Sequence, residues 1–207
     1  MLDGLLKPKI DPALDRIADE LVRRGVSANG VTAAALALGL IAAGAITAGA
    51  TWVGLGFILA SRLLDGLDGA VARRTRPTDF GGYIDIVFDF AFYGAIPAAF
   101  VALDPERNAL AGAILILSFY VNGASFLAFS ALAAKRGIAS SARGRKSIYF
   151  TTGLAEATET LAAFTLMCLW PDAFPWIAGL FAAICFYTAL ARVVEARNRF
   201  ADDGSDG

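Results

Sequence analysis

Apolar residues in this chain occur in runs of about 20 residues, long enough to cross a hydrocarbon core ~30 Å thick when they are helical. Short polar or charged stretches separate the runs. They lie at residues 31–50, 52–72, 82–104, 109–134, 148–170 and 175–195. The pattern therefore predicts an all-α polytopic membrane protein with six transmembrane helices.

Residues 12–24 have a different pattern, with apolar side chains on one helix face and charged side chains on the other. The apolar face consists of Leu14, Ile17, Ala18, Leu21 and Val22. This pattern is typical of an amphipathic helix in the membrane interface, and a solvent-exposed cap on the bundle is the alternative. We expect a single membrane domain over residues 1–200, with the six-helix bundle at 31–195. The acidic, glycine-containing residues 201–207 predict a disordered tail.

Composition supports a membrane protein and excludes several kinds of chemistry. The chain is 57% hydrophobic and contains no histidine. Imidazole bases, histidine metal ligands and Ser-His triads are therefore excluded, and acid–base catalysis must use Asp or Glu. The basic residues follow the predicted topology instead of forming one patch, so nucleic-acid binding is not expected.

Lys and Arg also predict the orientation of the chain. With six spans, the side opposite the termini shows only Arg107 as a basic residue, and the other basic residues outside or at the ends of the spans share the side of the termini. By the positive-inside rule both termini are cytoplasmic, as expected for a bacterial inner membrane protein.

Four aspartates interrupt the second and third apolar runs. Asp65 and Asp68 lie in SRLLDGLDGAVARR, and Asp85 and Asp89 lie in FGGYIDIVFDF. Because an ionised carboxylate in hydrocarbon is costly, such residues face a shared cavity, a cation or a partner charge. Each pair has a spacing of three or four residues, which places both side chains on one helix face. Two facing helices can then surround one or two hard cations, which predicts a site for Mg²⁺ or Mn²⁺.

Small and cationic residues flank these carboxylates. The small residues are Gly66, Gly69 and Ala72. They leave the helix almost bare, so that a phosphorylated group can approach its backbone. Arg73 ends the helix with a cation suited to phosphate oxygens. Arg62 lies one turn before Asp65, where it either forms an intrahelical ion pair or orients a metal ligand or phosphate.

Together these residues give the pattern DxxDGxxAR, seven intervening residues and then GxxxDxxxD, from Asp65 to Asp89. The pattern resembles the signature of the CDP-alcohol phosphotransferase (CDP-alcohol phosphatidyltransferase) family. Six spans with an N-terminal interfacial helix also resemble the architecture of that family.

The resemblance implies transfer of a substituted phosphate (phosphatidyl) group from a CDP-activated lipid such as CDP-diacylglycerol to an alcohol, with release of CMP, in phospholipid biosynthesis. It implies that Asp65, Asp68 and Asp85 hold the divalent metal on the diphosphate. Asp89 is then a metal ligand or the base that deprotonates the acceptor hydroxyl, so that Asp85 and Asp89 are the catalytic candidates. The nucleotide and phosphate side is lined by Gly66, Gly69, Ala72 and Arg73. A homodimer is expected from the resemblance alone.

The segment SANGVT at the start of the first span resembles the PNxxT-like entry of the family. Asn29 and Thr32 match that entry, and Ala28 replaces the proline. The resemblance implies a nucleotide contact for Asn29 and Thr32. The alternative is that Ser27 or Asn29 simply caps the helix.

Two groups of residues are candidates for the acceptor site. The resemblance implies a basic pocket for phosphorylated acceptors, for which Arg143, Arg145 and Lys146 are the candidates; anchoring of the topology is the alternative. Glu156 and Glu159 share one helix face and would contact acceptor hydroxyls or an ammonium group, or instead pair with Arg62, Arg192 or a polar neighbour. A basic site favours glycerol 3-phosphate or inositol phosphate, whereas an acidic site favours serine or another amino alcohol.

Two other functions use intramembrane carboxylates. Membrane prenyltransferases bind Mg-diphosphate through aspartate-rich helices, but they are longer and lack the DGxxAR continuation. A small cation transporter would use the carboxylates as an ion pathway. We find no internal duplication in the sequence to support a transporter.

Overall fold

A computed structural model describes residues 14–137 and 154–200. Within these ranges the regular structure consists of helices. They are α1 (14–23 in its described part), α2 (Ala28–Thr47), α3 (Thr51–Arg74), α4 (Asp79–Leu103), α5 (Pro105–Lys135), α6 (Ala157–Leu169) and α7 (Phe174–Phe200), with a 3-10 turn at Pro171–Ala173. The prediction of an all-α fold is confirmed.

Four of the described helices are long and apolar enough to cross a membrane. They are α2, α4, α5, and α7 taken together with the preceding 3-10 turn. Helix α3 has 24 residues but carries Arg62, Asp65 and Asp68 along its length. Helix α6 has 13 residues, and the first part of the predicted span at 148–170 lies outside the described residues. The polytopic class is confirmed, and the count of six spans stays a prediction.

The connection between α2 and α3 is a tight turn that depends on a glycine. Gly49 adopts φ of 83°, a left-handed conformation that L side chains rarely take. The N–H groups of Gly49 and Ala50 donate to the carbonyls of Ile46 and Ala45, each at 2.9 Å. These bonds satisfy the last turn of α2, and the short link brings α3 back alongside it.

A short connection also joins α3 to α4. Only residues 75–78 separate the two helices. Thr78 is the N-cap of α4, and its hydroxyl oxygen accepts a hydrogen bond from the Gly81 N–H at 3.0 Å. The predicted aspartate pairs lie on either side of this connection, so the end of α3 meets the start of α4.

Aromatic side chains form much of the core among α4, α5, α6 and α7. The buried members include Phe92, Phe100, Phe164, Phe174 and Phe181. Phe92 and Phe164 meet edge to face at 6.0 Å, and Phe100 stacks on Phe174 with the ring centroids 4.8 Å apart. These contacts hold α4 against α6 and α7.

Helix α1 contacts the bundle through its apolar face. Ala18 is fully buried, with Leu14, Leu21 and Val22 around it, against α2 and α3. Ile17, predicted to lie on the same face, is 45% exposed, because it points away from this contact. The apolar face of α1 therefore covers the ends of α2 and α3, and its place in the membrane interface stays a prediction.

Ion pairs fasten α1 to the end of α3. Arg74 contacts Asp15 at 3.0 Å and also pairs with Asp19. The predicted tail at 201–207 lies outside the described residues.

Candidate functional site

Three of the four predicted carboxylates meet where α3 faces α4. Asp65 and Asp68 come from α3, Asp85 comes from α4, and each offers an oxygen within 4.8 Å of the others. Asp68 is buried, and Asp65 and Asp85 are partly exposed. Hard oxygen donors at this separation can surround one small divalent cation, which would offset the mutual repulsion of the carboxylates. We call these three residues the carboxylate group.

The fourth aspartate, Asp89, lies one turn further along α4 and is paired with an arginine. Arg62 Nη1 donates to Asp89 Oδ1 at 2.7 Å and lies 3.4 Å from Asp65 Oδ1. The ion pair expected between Arg62 and Asp65 is therefore present but is the longer of two. The link from Arg62 to Asp89 joins α3 to α4, and the sequence pattern did not reveal it.

The start of α2 forms a third side of the site. The Thr32 hydroxyl donates to Asp68 Oδ2 at 2.7 Å and also lies 3.0 Å from the Ala28 carbonyl oxygen. Thr32 and Asp68 are both buried. The Thr32 hydroxyl thus holds one oxygen of Asp68 in place, and its predicted nucleotide contact stays a prediction.

Asn29 and Ser27 have separate roles at this end of α2. The Ser27 hydroxyl oxygen accepts a hydrogen bond from the Gly30 N–H at 3.2 Å, so Ser27 is the residue that caps α2. The side-chain oxygen of Asn29 lies beside α4, 3.0 Å from where a Cβ on Gly81 would stand. The glycine of the GxxxDxxxD pattern therefore permits the close approach of α2 to α4.

The predicted nucleotide and phosphate side of α3 is lined by small residues. Gly69 follows Asp65 by four positions and Ala72 follows Asp68 by four, so both share the face of the carboxylates. A Cβ on Gly69 would stand 3.4 Å from Arg73 Nη1, which shows that the Arg73 guanidinium folds back along this face. Arg73 is exposed and can reach an anionic group above Gly69.

Gly66 differs from the other two small residues. It is exposed, and a Cβ there would stand 3.4 Å from Leu14 Cδ1 of α1. Its bare backbone therefore lies at the edge of the site next to α1.

The predicted acceptor residues are only partly described. Arg143, Arg145 and Lys146 lie outside the described residues. Glu156 is the N-cap residue of α6, and Glu159 lies in the first turn of that helix. The preceding N–H groups of Leu154 and Ala155 donate to Thr188 Oγ1 at 3.1 and 3.2 Å, which places the start of α6 beside the middle of α7.

Arg192 occupies a second polar position inside the bundle. Its Nη1 donates to the carbonyl and side-chain oxygens of Asn122 at 3.0 and 3.1 Å and to Ser125 Oγ at 2.7 Å. These contacts join α7 to α5. The sequence could indicate that Arg192 needs partners, but not which helix supplies them.

The chain is similar to a known protein family and to a curated relative. The model of the family described as CDP-alcohol phosphatidyltransferase matches residues 25–197. The inner membrane protein YnjF of Escherichia coli (strain K12) is 45% identical over 193 residues, covering 93% of this chain and 94% of YnjF.

Solved structures show the same fold. The phosphatidylinositol phosphate synthase of Mycobacterium tuberculosis with CDP-DAG bound has a TM-score of 0.72 and 23% identity, covering 94% of this chain and 98% of that one. A crystal structure of that synthase in complex with manganese and citrate has a TM-score of 0.70 and 24% identity, with 93% of each chain covered.

Proposed function

Because the chain belongs to the CDP-alcohol phosphatidyltransferase family, we propose that it transfers a phosphatidyl or other substituted phosphate group from a CDP-activated lipid, such as CDP-diacylglycerol, to an alcohol. The observation that carries this proposal is the meeting of Asp65, Asp68 and Asp85 within 4.8 Å. CMP is the second product, because the acceptor oxygen forms its bond to phosphorus as the bond from phosphorus to CMP breaks.

The donor atoms fit Mg²⁺ or Mn²⁺ as the cofactor. The carboxylate group offers oxygen ligands from three side chains, the chemistry that these hard ions prefer. A manganese-bound structural neighbour with the same fold supports this assignment. When bound, the ion supplies charge neutralisation for the diphosphate and its leaving group.

The other candidate residues of the site bind the substrate, position a carboxylate or accept a proton. Asp89 accepts the proton of the acceptor hydroxyl as the hydroxyl oxygen attacks phosphorus. Arg73 contacts phosphate oxygens above the bare face formed by Gly69 and Ala72. Thr32 holds Asp68 in place, and Asn29 lies where α2 meets α4, within reach of a group bound between them.

The membrane setting follows from the relatives and from the apolar helices. YnjF is an inner membrane protein, and four described helices of this chain can cross a membrane. The charge distribution supports cytoplasmic termini, which would put the site at the inner leaflet, in reach of a soluble acceptor and a lipid donor. A homodimer is proposed from the family alone.

The two groups of candidate acceptor residues favour different classes of acceptor alcohol. The basic candidates favour glycerol 3-phosphate or inositol phosphate, and the acidic candidates Glu156 and Glu159 favour serine or another amino alcohol. Thin-layer analysis of the lipids formed from CDP-diacylglycerol with each acceptor separates these classes. The family match argues against the prenyltransferase and transporter alternatives.

The proposal is tested by CMP release from CDP-diacylglycerol with Mn²⁺ and a panel of acceptor alcohols. We expect Asp89→Asn to lower the rate about 10²- to 10⁴-fold, the usual contribution of a positioned base. The matched control is Asp79→Asn, an exposed aspartate in the first turn of the same helix, which should leave the rate unchanged. Release at the wild-type rate by Asp89→Asn would contradict the role of Asp89.

A further inference from the structure

Arg62 is placed between two carboxylates that belong to different helices. Its Nη1 lies 2.7 Å from Asp89 Oδ1 on α4 and 3.4 Å from Asp65 Oδ1 on α3. Asp65 also belongs to the carboxylate group, whereas Asp89 does not. The guanidinium therefore provides positive charge at the side of the site where Asp89 stands.

Several contacts keep the Arg62 side chain in this position. Its guanidinium carbon lies 3.8 Å from the centroid of the Phe92 ring, within the range of a cation–π contact. Nη2 donates to Ser61 Oγ at 3.2 Å, and the Ser61 hydroxyl donates to the Ala35 carbonyl at 2.7 Å. The Arg62 side chain is only 13% exposed. It is thus held directly by α3 and α4, and through Ser61 it is linked to α2.

A fixed guanidinium at this place limits what else can bind there. A second divalent cation coordinated by both Asp65 and Asp89 would have to stand next to Arg62 and would be repelled by it. The same guanidinium already offsets the repulsion between these two carboxylates. Asp65, Asp68 and Asp85 are the carboxylates that offer oxygens within 4.8 Å of one another.

We propose that Arg62 is a positioning residue that takes the place of a second divalent cation beside Asp65 and Asp89. The carboxylate group then binds one divalent ion, and Asp89 stays outside the metal ligands as the proton acceptor. This inference rests on the proposed function and adds to it the number of ions and the residue that sets that number.

The test is Mn²⁺ titration of the full-length protein in detergent, with bound and free ion counted by electron paramagnetic resonance. The wild type should saturate at one Mn²⁺ per chain. Asp89→Asn should keep that ion with an affinity close to wild type, whereas Asp68→Asn should weaken binding about tenfold or more.

Changes at Arg62 itself complete the test. Arg62→Gln removes the charge and should allow a second Mn²⁺ to bind, with the spectrum of two coupled ions. Asp89→Asn added to Arg62→Gln should remove that second ion. Arg62→Lys keeps the charge and should stay at one ion per chain.

The outcomes separate this inference from the proposed function. Two ions in the wild type, one of them lost in Asp89→Asn, would overturn the role of Arg62 and leave the proposed function standing. An Arg62→Gln protein that binds no more Mn²⁺ than wild type would also overturn it. If Arg62→Gln does not fold, the comparison of wild type with Asp89→Asn decides the question. Failure of the wild type to bind any Mn²⁺ would overturn the metal assignment itself.

Discussion

The hydroxyl of Thr32 in α2 donates a 2.7 Å hydrogen bond to Oδ2 of Asp68 in α3, although the two residues are 36 positions apart. Both side chains are buried, so the bond is shielded from competition with water. It fixes the rotamer of Asp68. Three helices, rather than the two that carry the carboxylates, therefore define the geometry of the carboxylate group.

Replacing Thr32 should weaken metal binding without removing a ligand. Thr32→Val keeps the side-chain shape but removes the hydroxyl that donates to Asp68, and we expect Mn²⁺ affinity to fall about 10- to 100-fold. Thr32→Ser retains the hydroxyl and should restore most of the affinity. Mn²⁺ titration measures both, and wild-type affinity in Thr32→Val would show that the bond does not orient Asp68.

The approach of α2 to α4 makes a second prediction at Gly81. A Cβ at Gly81 would lie 3.0 Å from Asn29 Oδ1 and 3.0 Å from Thr78 Oγ1, the cap of α4. Gly81→Ala should disturb that cap, at a typical cost of about 1 kcal/mol. It should also displace Asp85, which lies one turn further along α4. We expect a lower melting temperature and weaker Mn²⁺ binding.

The matched control for Gly81 is its neighbour. A Cβ on Gly82 would meet no heavy atom within 4 Å. Gly82→Ala should therefore keep Mn²⁺ affinity and gain up to about 1 kcal/mol of helix stability. Equal Mn²⁺ affinity in both variants would contradict the proposed importance of the contact between α2 and α4.

How much of the site followed from the sequence depends on the range of each interaction. Helical periodicity alone put Asp65 with Asp68 on one face, and the short link between α3 and α4 accounts for their meeting with Asp85. The contact of Arg62 with Asp65 was also local and therefore predictable. The pairing of Arg62 with Asp89 was not, because it depends on how α3 crosses α4.

In the fold, too, features set by the local sequence could be predicted, whereas contacts between distant residues could not. Helices α2 to α5 and α7 lie close to the predicted apolar runs, since hydropathy and length determine them. Ile17 was assigned to the buried face of α1 by periodicity, but the area that α2 and α3 offer does not reach it. The hydrogen bond from Thr32 to Asp68 was not predicted, because nothing in the local sequence pattern indicates which helix lies opposite Thr32.

Gly39 provides a prediction about the support of Arg62. A Cβ on Gly39 would stand 2.5 Å from Cδ2 of Phe92, the ring on which the Arg62 guanidinium rests. Gly39→Ala must displace this ring and should destabilise the protein by about 1–3 kcal/mol. Gly44→Ala, on the same helix but with no heavy atom within 4 Å, serves as the control. Thermal unfolding in detergent measures both, and equal melting temperatures would argue against close packing at Phe92.

Arg74 makes a prediction about the attachment of α1. Its ion pairs with Asp15 and Asp19 are contacts between α1 and the end of α3. Arg74→Ala should therefore increase amide hydrogen exchange in residues 14–23, with little change in the bundle. Arg76→Ala, an exposed arginine just beyond α3, is the control and should leave exchange in α1 unchanged. Unaltered exchange in Arg74→Ala would show that apolar packing alone holds α1.

The most direct measurement is the rate of CMP release from CDP-diacylglycerol as a function of Mn²⁺ concentration, for wild type and for Asp65→Asn, Asp68→Asn and Asp85→Asn. We predict that wild-type release requires the ion and stops with EDTA. Each variant should need about tenfold more Mn²⁺ or show no release, because each has lost one ligand of the same ion. Release that persists in EDTA, or a wild-type Mn²⁺ dependence in all three variants, would contradict a divalent-metal site built from these carboxylates.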